Sequence, residues 1–109
     1  MNTNVHWLAE RTVTGLSRSG ERLDVTLRIG APYEVAEQEW ACPLETEGLR
    51  GGMQLVRGID AWQALQLALS LQARTVGHFL DDGGRLFWHD TSYSIELREL
   101  FPAVPPAPE

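Results

Sequence analysis

The run Gly58-Ile59-Asp60-Ala61-Trp62-Gln63-Ala64-Leu65-Gln66-Leu67-Ala68-Leu69 constrains this chain more than any other stretch. It joins a strand end, a helix cap and a strongly apolar helix. Asp60 stands where a side-chain oxygen accepts from a backbone N–H two or three residues on. Gln63 stands three residues later, where a capping-box side chain reaches back. Apolar positions continue through Leu65, Leu69, Val76 and Leu80, with Ala61, Ala64, Ala68 and Leu71 beside them. At about 100° per residue, Gln63, Gln66, Ser70, Arg74 and Asp81 collect on the opposite face. The spacing predicts a helix from Asp60 to about Leu80. Its apolar arc is wider than a surface helix needs, so cover from a sheet and from something else is expected. Asp81-Asp82-Gly83-Gly84 supplies the stop, because glycine takes the left-handed conformation that helix ends favour.

Strands precede this helix. Leu23, Val25, Leu27 and Ile29 alternate with Arg22, Asp24, Thr26 and Arg28. That period of two buries one face and wets the other. Arg11 to Leu16 reads as its partner across the turn Ser17-Arg18-Ser19-Gly20. Glu34 to Glu39 reads as a polar connection or a short turn of helix. Trp40, Cys42, Leu44 and Thr46 alternate in a third strand. Within it Pro43 lacks an N–H and demands an edge or a bulge. Met53 to Ile59 is a fourth strand feeding the helix, and Leu86-Phe87-Trp88 follows it. Ser92 to Leu100 fits a strand or a helical turn equally. The expected class is α+β: an antiparallel sheet of four to six strands with one long helix packed across one face. Residues 1–101 form the expected single domain, and 102–109 a Pro-rich disordered tail.

Composition narrows the functions. At 109 residues one core suffices. All nine basic residues are arginine, as a GC-rich bacterial genome would produce. Without lysine there is no Schiff-base anchor for pyridoxal phosphate and no ordinary phosphate-binding P-loop. The net charge of −6 argues against nucleic acid, which needs a basic face. No apolar run approaches the roughly 20 residues that cross a bilayer. No basic region followed by an apolar run opens the chain, and Cys42 has no second cysteine to pair with. A cytoplasmic protein is therefore the expectation.

Arg28-Ile29-Gly30-Ala31-Pro32, Trp40-Ala41-Cys42-Pro43, Gly48-Leu49 and Gly58-Ile59-Asp60 followed by Gln63-Ala64-Leu65-Gln66-Leu67-Ala68 resemble, in order and spacing, a family of small bacterial proteins. That family is catalogued only as a domain of unknown function. The resemblance runs from about Arg11 to Trp88. It implies a compact bacterial domain and brings no catalytic residues.

The residues themselves show little chemistry. His6, His78 and His89 have no metal-site spacing to one another or to Cys42. A site using His78, His89 or Asp90 is the minority reading against ordinary, partly exposed histidines. Cys42 lies among Glu39, Glu45 and Glu47, which would raise a thiol pKa, so a buried core cysteine is expected over a nucleophile. Gln72 projects into the apolar arc and needs a partner, expected from the backbone of a crossing loop. No catalytic residue, metal site or cofactor is expected. Glu34, Glu37, Glu39, Glu45 and Glu47 occur with no basic residue between Arg28 and Arg50. They read mainly as a solvated edge, and alternatively as a docking face for a basic protein partner.

The leading expectation is a non-enzymatic domain acting through protein contacts, most simply as a homodimer. Four tryptophans and the wide helix arc exceed what two thin layers cover. Two alternatives stand beside it. One is an antitoxin or immunity-type inhibitor of a basic toxin. The other is a small-ligand binder or enzyme with a pocket between helix and sheet.

Overall fold

The structure is a computed structural model and describes residues 5–102. The chain runs β1 (Trp7–Leu16), β2 (Arg22–Gly30), β3 (Tyr33–Ala36), β4 (Glu39–Glu47), β5 (Gly52–Gly58), α1 (Ala61–Asp81), β6 (Arg85–Trp88) and α2 (Leu97–Leu100). All strand pairs are antiparallel. The architecture is α+β, six strands with one long helix packed against them.

The registers reveal how the sheet is laid out. β5 pairs with β4 from Trp40 to Thr46. β2 and β3 must therefore share the other edge of β4. Their registers continue one another, Ile29 opposite Leu44 and Tyr33 opposite Ala41. Together they form one long strand, bent at Gly30 to Pro32. The spatial order is β5, β4, β2 with β3, β1, β6. The helix leaves β5 at one edge and delivers the chain to β6 at the other. The connection expected over Glu34 to Glu39 is thus the far end of a long hairpin. Gln38, with φ of 58°, makes its turn. Pro43 falls between the stretch of β4 paired with β3 and the stretch paired with β2. A strand inside the sheet thereby accommodates it. β1 begins at Trp7, earlier than Arg11, with a register shift between Trp7 and Ala9 that breaks its alternation. Ser92 to Leu100 contains both readings in series. Ser94 bridges Phe87, and α2 follows.

The helix starts as its sequence dictates. Asp60 Oδ1 accepts from the Gln63 N–H at 2.8 Å. Gln63 Oε1 accepts in return from the Ile59 N–H at 2.9 Å, one residue before the cap. Such a cap contributes about 1 kcal/mol. At the other end Gly83 takes φ of 98°. The Gly84 N–H donates to Phe79 O and the Gly83 N–H to Leu80 O, the paired bonds of a Schellman stop.

The core forms two clusters on the helix side of the sheet. Val13, Val25, Leu27, Val76, Leu86 and Ile95 make one. Cys42, Leu44, Ala64 and Ala68 make the other. The helix buries Ala64, Ala68, Gln72 and Val76, every fourth residue. This small-residue ridge differs from the leucine-rich arc expected from the pattern. Ile59 just before the helix, and Trp62, Leu67 and Leu69 on it, stay exposed, Trp62 at 74%. Alanines let the helix axis approach the sheet closely, and the large side chains are displaced to its flanks. Of the further cover expected over that arc, α2 supplies a little, Leu97 lying against Gly77. Of the Pro-rich tail expected at 102–109, all but Pro102 lies outside the described residues.

Candidate functional site

Strand pairing gives most of the glutamates between Glu34 and Glu47 a partner. Arg28 on β2 sits between β1 and β4 on the helix-free face. Its Nε donates to Glu10 at 2.9 Å, and its Nη1 to Glu45 at 3.0 Å and Glu47 at 2.8 Å. The Glu47 and Glu10 carboxylates hold this guanidinium protonated well above its ordinary range. Arg57 on β5 pairs with Glu39 at 3.0 Å. Among the described residues Glu34 and Glu37 have no ion pair, so within the stretch Glu34 to Glu47 the unpaired charge is confined to the β3–β4 hairpin. The basic partners lie outside the acidic stretch in sequence and reach it only across strands.

Cys42 is fully buried. Its Sγ donates to Gly30 O at 3.3 Å. Burial pushes its thiol pKa up. The neighbouring glutamates invoked from the sequence are not the cause. The raised pKa sets the sign of a pH effect. An unfolded thiol ionises from about pH 8.5, whereas the folded one stays protonated beyond it. The folded state therefore binds more protons in that window. The contribution to stability is complete below about pH 8.5 and is lost as pH rises towards the folded value. Thermal melts across this range should decline more steeply for the native chain than for Cys42→Ser. Equal slopes would contradict it.

Gln72 finds backbone, though not of a loop. Its Nε2 donates to Glu45 O at 3.0 Å and Arg28 O at 3.2 Å. The amide ties the middle of the helix to β2 and β4. This bond accounts for a polar residue in the buried ridge.

The histidines separate. His89 and Asp90 follow β6 on the helix-free face. His89 lies 3.8 Å from Asp24 and 3.6 Å from Asp90, and Arg22 pairs with Asp90 at 3.0 Å. His78 is on the helix, across the sheet from them. His6 contributes its backbone carbonyl to the Ala31 N–H. A site combining His78 with His89 and Asp90 does not form. Among the described residues no three His, Cys, Asp or Glu side chains gather to hold a metal ion.

Two surface features remain. The first is a cleft of about 710 Å³ between the second half of α1 and two hairpin turns, β1–β2 and β4–β5. Leu23, Leu49, Leu71 and Phe79 line it with apolar surface. Arg50 of the β4–β5 turn, Arg74 and His78 of the helix, Glu21 before β2 and Asp82 at the helix end also line it. This volume lies within the range of small-ligand sites. No sequence motif announced it, since Arg74 read as a solvated helix position and Arg50 as the boundary of the acidic stretch.

The second is the outer edge of β5. Among the described residues β5 pairs with β4 alone. On the helix-free face Met53 and Leu55 stand beside Tyr33 and Pro43 around a hollow of about 580 Å³. Met53 is 45% exposed and Leu55 47%. No helix of the described residues is long and apolar enough to cross a membrane.

Neither the curated proteins nor the solved structures contain a match to this chain. A family profile does match, over residues 9–97. That span covers most of the chain and encloses the stretch from Arg11 to Trp88 that carried the resemblance. The chain belongs to the family described as a domain of unknown function, DUF6968.

Proposed function

We propose that this domain acts through protein contacts, and that its first partner is a second copy of itself, joined along β5. The observation that carries this reading is the unguarded edge. β5 has seven residues with no proline and no bulge, and its one charged side chain, Arg57, is tied to Glu39 of β4. Natural edges normally use one of those devices against pairing. Exposed Met53 and Leu55 border the edge on one face, and Ile59 and Trp62 stand at its exit, 62% and 74% exposed.

A two-fold axis at Leu55 makes the pairing self-complementary. Leu55 then opposes Leu55 of the second copy, Gln54 opposes Val56, and Arg57 opposes Met53. No like charges face each other, and the six-stranded sheet continues into the second copy. The same geometry favours a symmetric partner over a basic one, because Arg57 and Arg28 already neutralise much of the acidic stretch.

Sedimentation at micromolar concentration should give a dimer. Leu55→Lys places a charge at the axis without touching the core, so it should yield a folded monomer. Hydrogen exchange at residues 53–57 should slow as concentration rises. A native monomer at high micromolar concentration, or a dimer indifferent to Leu55→Lys, would refute the reading.

A further inference from the structure

We infer that the cleft between α1 and the two hairpin turns binds a short apolar peptide by both of its charged ends. The argument starts from which arginines are occupied. Arg22, Arg28, Arg57 and Arg98 are in ion pairs, and Arg11 and Arg85 lie over Trp88 and Phe87. Among the described residues Arg18, Arg50 and Arg74 have neither a carboxylate partner nor an aromatic face, although the chain carries more acids than bases. Arg18 lies along Gly83 and does not line the cleft, which leaves Arg50 and Arg74. Both line the same apolar cleft.

The cleft is polar along its length. Asp82 lies eight residues beyond Arg74 on one helix, a rise of about 12 Å. Arg50 belongs to the β4–β5 turn and Glu21 to the β1–β2 approach, with β2 and β4 between them. Strand spacing separates these by roughly 10 Å. Cations therefore collect at one end and carboxylates at the other, with Leu23, Leu49, Leu71 and Phe79 between. An anionic lipid would satisfy the first end and leave Glu21 and Asp82 facing apolar surface. A free peptide satisfies both, its carboxylate on Arg50 and Arg74 and its ammonium on Glu21 and Asp82. An extended tripeptide spans about 10 Å, which matches the separation. His78, one turn from Arg74 and one from Asp82, faces the peptide backbone between them. The cleft meets β5 at Gln54 alone, and none of the charged residues that hold the peptide belongs to that strand, so binding does not depend on pairing there.

The test is an NMR titration of the full chain with tri-leucine, its N-acetyl form and its C-terminal amide. The free tripeptide should shift amides of residues 49–51 and 75–79 at sub-millimolar to millimolar concentration. Blocking either end should weaken binding about tenfold, the loss of one charge-assisted contact. Arg74→Gln should erase the difference between acid and amide and keep the penalty for acetylation. Asp82→Asn should do the reverse. Arg74 and Asp82 are both exposed, so the variants should melt like the native chain. Equal binding of the C-terminal amide would overturn the proposal. So would acetylation without penalty, which would mark an anion site, or the absence of cleft shifts at millimolar peptide.

Discussion

Gly58→Val should remove about 3 kcal/mol or more of stability, while Gly77→Ala, in the same helix–sheet unit, should add roughly 0.5–1 kcal/mol. A Cβ on Gly58 would lie 2.6 Å from the Ala64 backbone nitrogen and 2.9 Å from its Cα. Those atoms belong to the first turn of the helix and cannot rotate away. The helix would have to lift, parting Ala64 and Ala68 from Cys42 and Leu44. Overpacking of side chains alone costs about 1–3 kcal/mol, and here the obstacle is backbone. Against a total of about 5–15 kcal/mol, such a loss is a large fraction of the fold's stability. A Cβ at Gly77 meets only Leu97 Cδ2, at 3.6 Å. That is ordinary contact, so the helix propensity of alanine is gained without strain. Urea denaturation of the two variants decides it. A Gly58→Val protein as stable as the native chain would show that the helix does not sit so close.

Leu44→Ala should cost about 2–5 kcal/mol, and Leu55→Ala under about 1 kcal/mol, though the two residues lie on neighbouring strands. Leu44 is fully buried beneath Ala64 and Ala68. Removing its branched end forfeits the transfer energy and leaves a cavity that alanines on the facing helix cannot fill. Leu55 projects to the helix-free face and is about half exposed. Its truncation removes little buried area in a single copy. The pair of variants thereby measures how one-sided the core is. Denaturation below the dimerisation range is the relevant condition, since pairing along β5 would add to the cost at Leu55.

Much of the fold was legible in the sequence because its signals are local. Asp60 and Gln63 announce a helix start through bonds that span a single turn, and Gly83 announces its end through a backbone angle. Leu23 to Ile29 declares a half-buried strand through a period of two. The β3 hairpin was missed because Tyr33 to Ala36 is exposed throughout and so carries no alternation. The start of β1 was missed because a register shift breaks its pattern. The acidic stretch looked unpaired because Arg28 and Arg57 lie beyond its ends and meet it only sideways. The cleft was illegible for the same reason. Arg50 and Arg74 are 24 positions apart in the chain and share a site only because the β4–β5 turn folds back beside the helix.

By itself, the sequence determined the α+β class, the extent of the helix, five of the six strands and the exclusion of lysine chemistry. These follow from propensity, capping and periodicity, which act over a few residues. The tertiary structure decided which helix face went inward. Periodicity puts leucines and alanines in one apolar arc and cannot rank them. Close approach at Gly58 ranks them, favouring the ridge Ala64, Ala68, Gln72 and Val76 and leaving Trp62, Leu67 and Leu69 outside. It also decided that β5 ends the sheet and that Gln72 bonds to two strands. Those outcomes depend on distances between segments far apart in the chain, and only packing sets them.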